Sequence, residues 1–177
     1  MTPRKLCLQF SGGRDSLAML YLLAPHLENI DVVWANSGDA YPELHALVKS
    51  VKLWVPHFIE LQDGDAAGWR LKHGLNANNW LMCCADNMWG PMQRFVARGG
   101  YVVAFRGTKE CDPMPKLVLP NQTIDGVTYI MPLWAWTNES VDEYLGPALP
   151  EQYRIGHKSS LDCMGCTAKH ACGTPTK

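Results

Sequence analysis

The chain has 177 residues, 47% of them hydrophobic and 19% charged, which is enough for one buried core and too short for two ordinary domains. A formal net charge of −1 gives no sign of a bulk electrostatic partner such as duplex DNA or an anionic membrane. No apolar run reaches the ~18–20 residues that span a bilayer, and Arg4 and Lys5 lead into a strand with no apolar signal core, so a cytoplasmic protein is expected.

Residues 5–10 read as a short buried strand, and residues 17–27 as an apolar helix ended near Pro25. A second strand over residues 30–35 runs into Asn36-Ser37-Gly38-Asp39, and residues 41–51 read as a helix opened by Pro42. Residues 57–61 are a third strand. Residues 62–82, rich in Gly and Asn, read as irregular. A helix is predicted over 90–98, strands over 101–105 and 129–133, and a last helix over 138–145. Strands alternating with helices predict a doubly wound, mostly parallel, five-stranded α/β sheet forming a single domain over residues 1–177. Ligands in such sheets bind beyond the carboxyl ends of the strands, where both glycine-containing loops fall.

Ser11-Gly12-Gly13-Arg14-Asp15-Ser16 lies between a strand and a helix, where a phosphate cradle works. Two glycines let backbone N–H groups approach an anion, and the helix N-terminus adds partial positive charge. Ser11 and Ser16 offer hydroxyls and Arg14 a charged fork. Asp15 caps the helix, or holds Mg2+ if a triphosphate binds. No Walker sequence occurs. The competing reading is a plain capped turn.

The cysteines fall into two clusters, Cys83-Cys84 and Cys163-Met164-Gly165-Cys166, with Cys7, Cys111 and Cys172 apart. Clustered cysteines in a cytosolic chain point to metal binding or redox chemistry. Thiolates suit zinc or an iron–sulfur centre. Spacing leaves both open, although structural zinc sites prefer two spaced Cys-x₂₋₄-Cys knuckles, and adjacent cysteines suit a polynuclear centre.

The glycine loop resembles the PP-loop of the adenine nucleotide alpha hydrolase-like superfamily, which holds ATP pyrophosphatases and the sulfonucleotide (PAPS/APS) reductases. Residues 36–43, NSGDAYPE, resemble that family's segment after strand two. Residues 132–137, PLWAWT, with Val141 and Tyr144, resemble its Pro-Leu-x-x-Trp-Thr signature. Tyr153, Gly156, Ser159, Cys163, Cys166 and Thr167 resemble its ending. The resemblance implies a Rossmann-like fold and an adenine nucleotide (APS, PAPS or ATP) held by residues 11–16, Ser37, Gly38 and Arg106. It also implies a 4Fe–4S cluster on Cys83, Cys84, Cys163 and Cys166. Lys109 and Lys116 are further anion candidates. Where the family carries a basic pair after Cys-Cys, this chain has Asn87-Met88, so electrostatic coupling between cluster and substrate comes from elsewhere or is weaker.

Cys172-Gly173 resembles the catalytic Cys-Gly of sulfonucleotide reductases, with Lys169 and His170 nearby in sequence and a mobile tail expected over residues 168–177. The first functional expectation is a reductase that takes sulfonate on Cys172 and releases sulfite to a thioredoxin- or glutaredoxin-like dithiol. The alternatives are an ATP pyrophosphatase activating an acceptor for sulfur transfer, and a non-catalytic nucleotide-binding redox module. A homo-oligomer is compatible with each.

Overall fold

Strand β1 (Lys5–Phe10) sits at the centre of the sheet because both its faces are apolar. Leu8 and Phe10 enter one core, while Cys7 enters the other. The same period-two split recurs in β2 (Ile30–Ala35), where Ile30, Val32 and Trp34 face the first core and Val33 the second. The structure is a computed structural model that describes residues 5–76, 78–113, 116–156 and 161–166.

With β3 (Phe58–Leu61), β4 (Tyr101–Phe105), β5 (Thr123–Ile124) and β6 (Val127–Ile130), the strand order is β3-β2-β1-β4-β6-β5. All pairings are parallel except β5 with β6. The expected sheet had five strands. The sixth, β5, is a two-residue leg of a hairpin turned by Asp125 and Gly126, both at positive φ, and is too short to show a period in sequence.

Helices α1 (Arg14–Leu22), α2 (Pro42–Lys52) and α6 (Asn138–Leu145) cover the first face, and α5 (Gly90–Arg98) covers the second. Trp34, 1% exposed, is the largest of the fully buried side chains; truncating it to Ala costs about 3–5 kcal/mol. The helix expected to reach residue 27 stops at Leu22, and residues Ala24–Asn29 tighten into a 3-10 turn because Pro25 cannot continue the α ladder. The strand expected over 129–133 is shifted to Val127–Ile130, with turns from residue 132.

The larger difference lies in residues 62–82. They are not wholly irregular: α3 (Ala66–His73) starts there, its cap Asp65 accepting the Gly68 N–H at 2.9 Å. A short α4 (Trp80–Cys84) then runs through a π-turn over Ala85–Trp89 directly into α5. Only Ala66 of α3 is buried, so its apolar period was too weak to read. A one-turn helix, α7 (Glu151–Arg154), precedes residue 161. Among the described residues, no helix is long and apolar enough to cross a membrane.

Candidate functional site

In the strand order, β1 lies between β2 and β4, so the chain leaves β1 in both directions across the sheet. Such a switch point opens a crevice at the carboxyl ends of the strands. Three loops meet there: residues 11–13 after β1, residues 36–41 after β2 and residues 106–112 after β4.

The first loop is held by its own side chains. The Ser11 N–H and hydroxyl both donate to Ser16 Oγ, at 3.2 and 3.1 Å, and the Ser16 hydroxyl donates to the Gly13 carbonyl at 2.9 Å. Gly12 takes φ +76°, and a Cβ there would meet Leu44 Cδ1 at 2.0 Å, so the loop must turn on glycine. Helix α1 has no side-chain cap. Asp15, expected as the cap or as a magnesium ligand, instead lies 2.6 Å from Lys109 Nζ. Burial pushes the Asp15 carboxyl up, against the pull of that ammonium. Arg14 places Nη1 2.9 and 3.1 Å from the two Asp142 carboxylate oxygens on α6 and packs over the Tyr153 ring. The Arg14 N–H donates to the Tyr153 hydroxyl at 3.3 Å. The expected charged fork is thus engaged within the protein.

The loop after β4 abuts this one. A Cβ on Gly107 would sit 2.8 Å from the backbone C and O of Asp15, so glycine permits the approach. Lys109 is wholly buried and also pairs with Asp112 at 3.0 Å. Lys116 donates to the Asp112 carbonyl. Lys109 is therefore committed to two carboxylates, whereas the bond of Lys116 is to a backbone carbonyl. Arg106 is different. The register pairs Leu8 with Phe105, which puts Arg106 one step beyond, at the level of Gln9. Its guanidinium has no hydrogen-bond or ion-pair partner among the described residues, and burial lowers its pKa. Unlike Arg14 and Lys109, it remains available to an anion.

Ser37 and Gly38 follow β2. The Ser37 hydroxyl donates to the Asp162 carbonyl and accepts the Asp39 N–H at 3.2 Å. Gly38 N–H donates to Asn36 Oδ1 at 3.0 Å. This loop therefore carries the segment 161–166: Tyr41 N–H donates to Leu161 O at 3.0 Å, and Met164 N–H to Asp39 O at 2.8 Å.

That docking brings Cys163 and Cys166 to Cys83 and Cys84. All four line one small cavity with Arg70, Asn87 and apolar side chains including Trp80 and Met88. Cys83 and Cys163 are buried, Cys84 and Cys166 partly so. Burial pushes the Cys83 thiol up, and the Cys84 thiol up to about 12 with the other three cysteines adding to it. Asn87 Nδ2 donates to Cys83 O at 2.9 Å and lies 3.8 Å from its Sγ, while its Oδ1 accepts the Asp65 N–H at 2.8 Å. Among the described residues, no three His, Cys, Asp or Glu are grouped so as to hold a single ion. The donor set is four soft thiols around a shared apolar space, which fits the ligand count and chemistry of an iron–sulfur cluster. Cys172, with Ser159 and Thr167, lies outside the described residues.

Sequence reasoning did not find Arg70 or Asp142. Asp142 stands at an unspecified position between Val141 and Tyr144, and Arg70 lies in the stretch read as irregular.

The chain matches the model of one protein family, described as phosphoadenosine phosphosulfate reductase domain, over residues 5–167. A search of curated proteins gives no match. Among solved structures, phosphoadenylyl-sulfate (PAPS) reductase from Candida auris, a phosphate complex, is similar at 20% identity and TM-score 0.65, covering 91% of this chain and 82% of that one. An FMN adenylyltransferase from Candida glabrata in complex with ATP is similar at 15% identity and TM-score 0.56, covering 88% and 52%. A predicted subunit of tRNA methyltransferase from Methanocaldococcus jannaschii is similar at 18% identity and TM-score 0.51, covering 80% and 73%. These likenesses establish the Rossmann-like α/β fold.

Proposed function

The chain belongs to the phosphoadenosine phosphosulfate reductase domain family, and on that premise we propose that it is an iron–sulfur sulfonucleotide reductase acting on APS or PAPS. The observation that carries this reading is the cavity lined by four cysteines from two segments 79 residues apart, docked onto the loop after β2 and so beside the crevice. Cys83, Cys84, Cys163 and Cys166 would hold a 4Fe–4S cluster. When bound, it supplies a charged, redox-sensitive centre at the edge of the pocket.

The adenylyl group binds across residues 11–16 and 37–38, with Arg106 as the free cation for the phosphate–sulfate end. The Cys172 thiolate attacks the sulfate sulfur. The S–O bond to the phosphate breaks, and AMP from APS, or adenosine 3′,5′-bisphosphate from PAPS, leaves with that electron pair. A donor thiolate then attacks the Cys172 sulfur and displaces sulfite, and the donor's second thiol resolves the mixed disulfide. The balance is one dithiol oxidised to a disulfide and one sulfate sulfur reduced by two electrons.

An intact Ser-Gly-Gly-Arg-Asp-Ser loop favours the rival, an ATP pyrophosphatase. The Asp15–Lys109 pair weighs against it, because a magnesium ion would have to displace a buried ammonium 2.6 Å away. Anaerobic product analysis with APS, PAPS and ATP in parallel separates the two. Sulfite from a sulfonucleotide supports the reductase, and pyrophosphate from ATP alone supports the rival. Without reductant, Cys172 should gain the mass of a sulfonate, and Cys172→Ser should lose sulfite release while keeping nucleotide binding.

A further inference from the structure

Among the described residues that line the cysteine cavity, one carries a charged side chain, Arg70. Its guanidinium interacts electrostatically with Cys163 and Cys83. Two carboxylates among the described residues act on the adjacent pair in the opposite sense, Asp86 on Cys83 and Asp162 on Cys84. Four thiolates in an apolar space repel one another and are poorly solvated, so a cation fixed at their edge offsets a large part of the cost.

Arg70 is well fixed. Nη2 lies 2.5 Å from Asp39 Oδ2, with the two side chains 14% and 13% exposed. The same carboxylate oxygen accepts the Gly165 N–H at 3.0 Å, in the middle of the Cys163-to-Cys166 turn. Helix α3 is itself set by the Asp65 cap and by the Ala66 N–H donating to the Ser37 carbonyl at 2.8 Å. Asn87, which reaches Cys83 from the π-turn, is uncharged.

We propose that Arg70 is the resident cation of the cysteine cavity, a positioning residue that holds an anionic metal–thiolate centre there and raises its reduction potential, with Asp39 as its opposing partner. The proposal rests on the cluster reading above. A positive charge beside a cluster stabilises the added electron, and the negative charge of Asp39 counteracts it. Through Asp39, the same contact ties the cavity to Ser37 and Gly38 on the nucleotide side of the loop.

The test is anaerobic reconstitution of the full chain with iron and sulfide for wild type, Arg70→Gln, Arg70→Lys and Asp39→Asn. Iron per chain and the midpoint potential by redox titration are measured. Arg70→Gln is expected to shift the potential down, Arg70→Lys to stay near wild type, and Asp39→Asn to shift it up. Removing an anchor of no electrostatic consequence would move Arg70→Gln and Asp39→Asn in the same direction or leave both unmoved, and either result overturns the proposal. Should Arg70→Gln take up no iron, uptake by Arg70→Lys supports it, and equal loss in all three variants overturns it. Wild-type protein that binds no iron overturns the cluster reading itself; iron-loaded wild type with an unmoved potential in Arg70→Gln overturns only the role of Arg70.

Discussion

Lys109 is wholly buried, and its ammonium lies 2.6 Å from the Asp15 carboxylate, which joins the loop after β4 to the loop after β1. The sequence offered Lys109 as an anion ligand and Asp15 as a cap or metal ligand. The fold spends each on the other.

Removing one partner of such a pair leaves a buried charge uncompensated. Lys109→Met is expected to destabilise the protein by about 3 kcal/mol, near the low end for a buried pair because Asp15 remains 29% exposed. Nucleotide affinity should fall as well. Adding Asp15→Asn to Lys109→Met should recover part of the loss in urea unfolding. A double variant less stable than Lys109→Met alone would contradict the pairing.

Gly107 should be irreplaceable at the same junction. A Cβ there meets the Asp15 backbone, which cannot yield as a side chain could. Gly107→Ala is expected to cost about 1–3 kcal/mol, as overpacking does, and to weaken APS or PAPS binding by calorimetry. Gly126→Ala, in the distant β5–β6 hairpin, serves as the control: it strains a positive-φ turn and should leave binding unchanged.

The four cysteines should act as one unit. Anaerobically purified protein is expected to be brown with about four irons per chain. Cys84→Ser or Cys163→Ser should bleach it and lower its thermal stability, because the centre would link segments far apart in sequence. One zinc per colourless chain would sink the assignment.

Cys7 predicts an alkaline instability unrelated to the site. Burial, with Asp31 adding to it, raises its thiol from 9.0 to about 12. A raised thiol pKa means the folded state holds its proton while the unfolded chain releases it. Its contribution is complete below pH 9 and is lost as pH rises toward 12, at about 1.4 kcal/mol per unit. Cys7→Ala lacks that slope, so its stability gap to wild type should narrow from pH 9 upward in denaturant titrations. A constant gap between pH 8 and 10.5 would count against the assignment.

Local order was legible where one residue's neighbours in sequence are also its neighbours in space. Strands β1, β2 and β4 and helices α5 and α6 were bounded as observed, because a continuous apolar run or a clear helical period marks each. The α/β class followed from their alternation, and the family from motifs in order along the chain. Helix α3 and strand β5 were not legible: the first buries a single residue and the second has only two.

The candidate site divides along the same line. Sequence alone picked out residues 11–16 and the two cysteine clusters by residue type and spacing, and Arg106 and the joint four-cysteine set by resemblance to the family. It could not say that Arg14 is turned to Asp142, that Lys109 neutralises Asp15, or that Arg70 pairs with Asp39. Those pairings join residues 31 to 128 positions apart and depend on which loops the sheet order brings to one crevice. A charged side chain carries no mark of its partner until the backbone places the two within a few ångströms, where burial makes the pairing decisive. Only the tertiary structure decided which of the charges were committed and which, Arg106 above all, were left for a ligand.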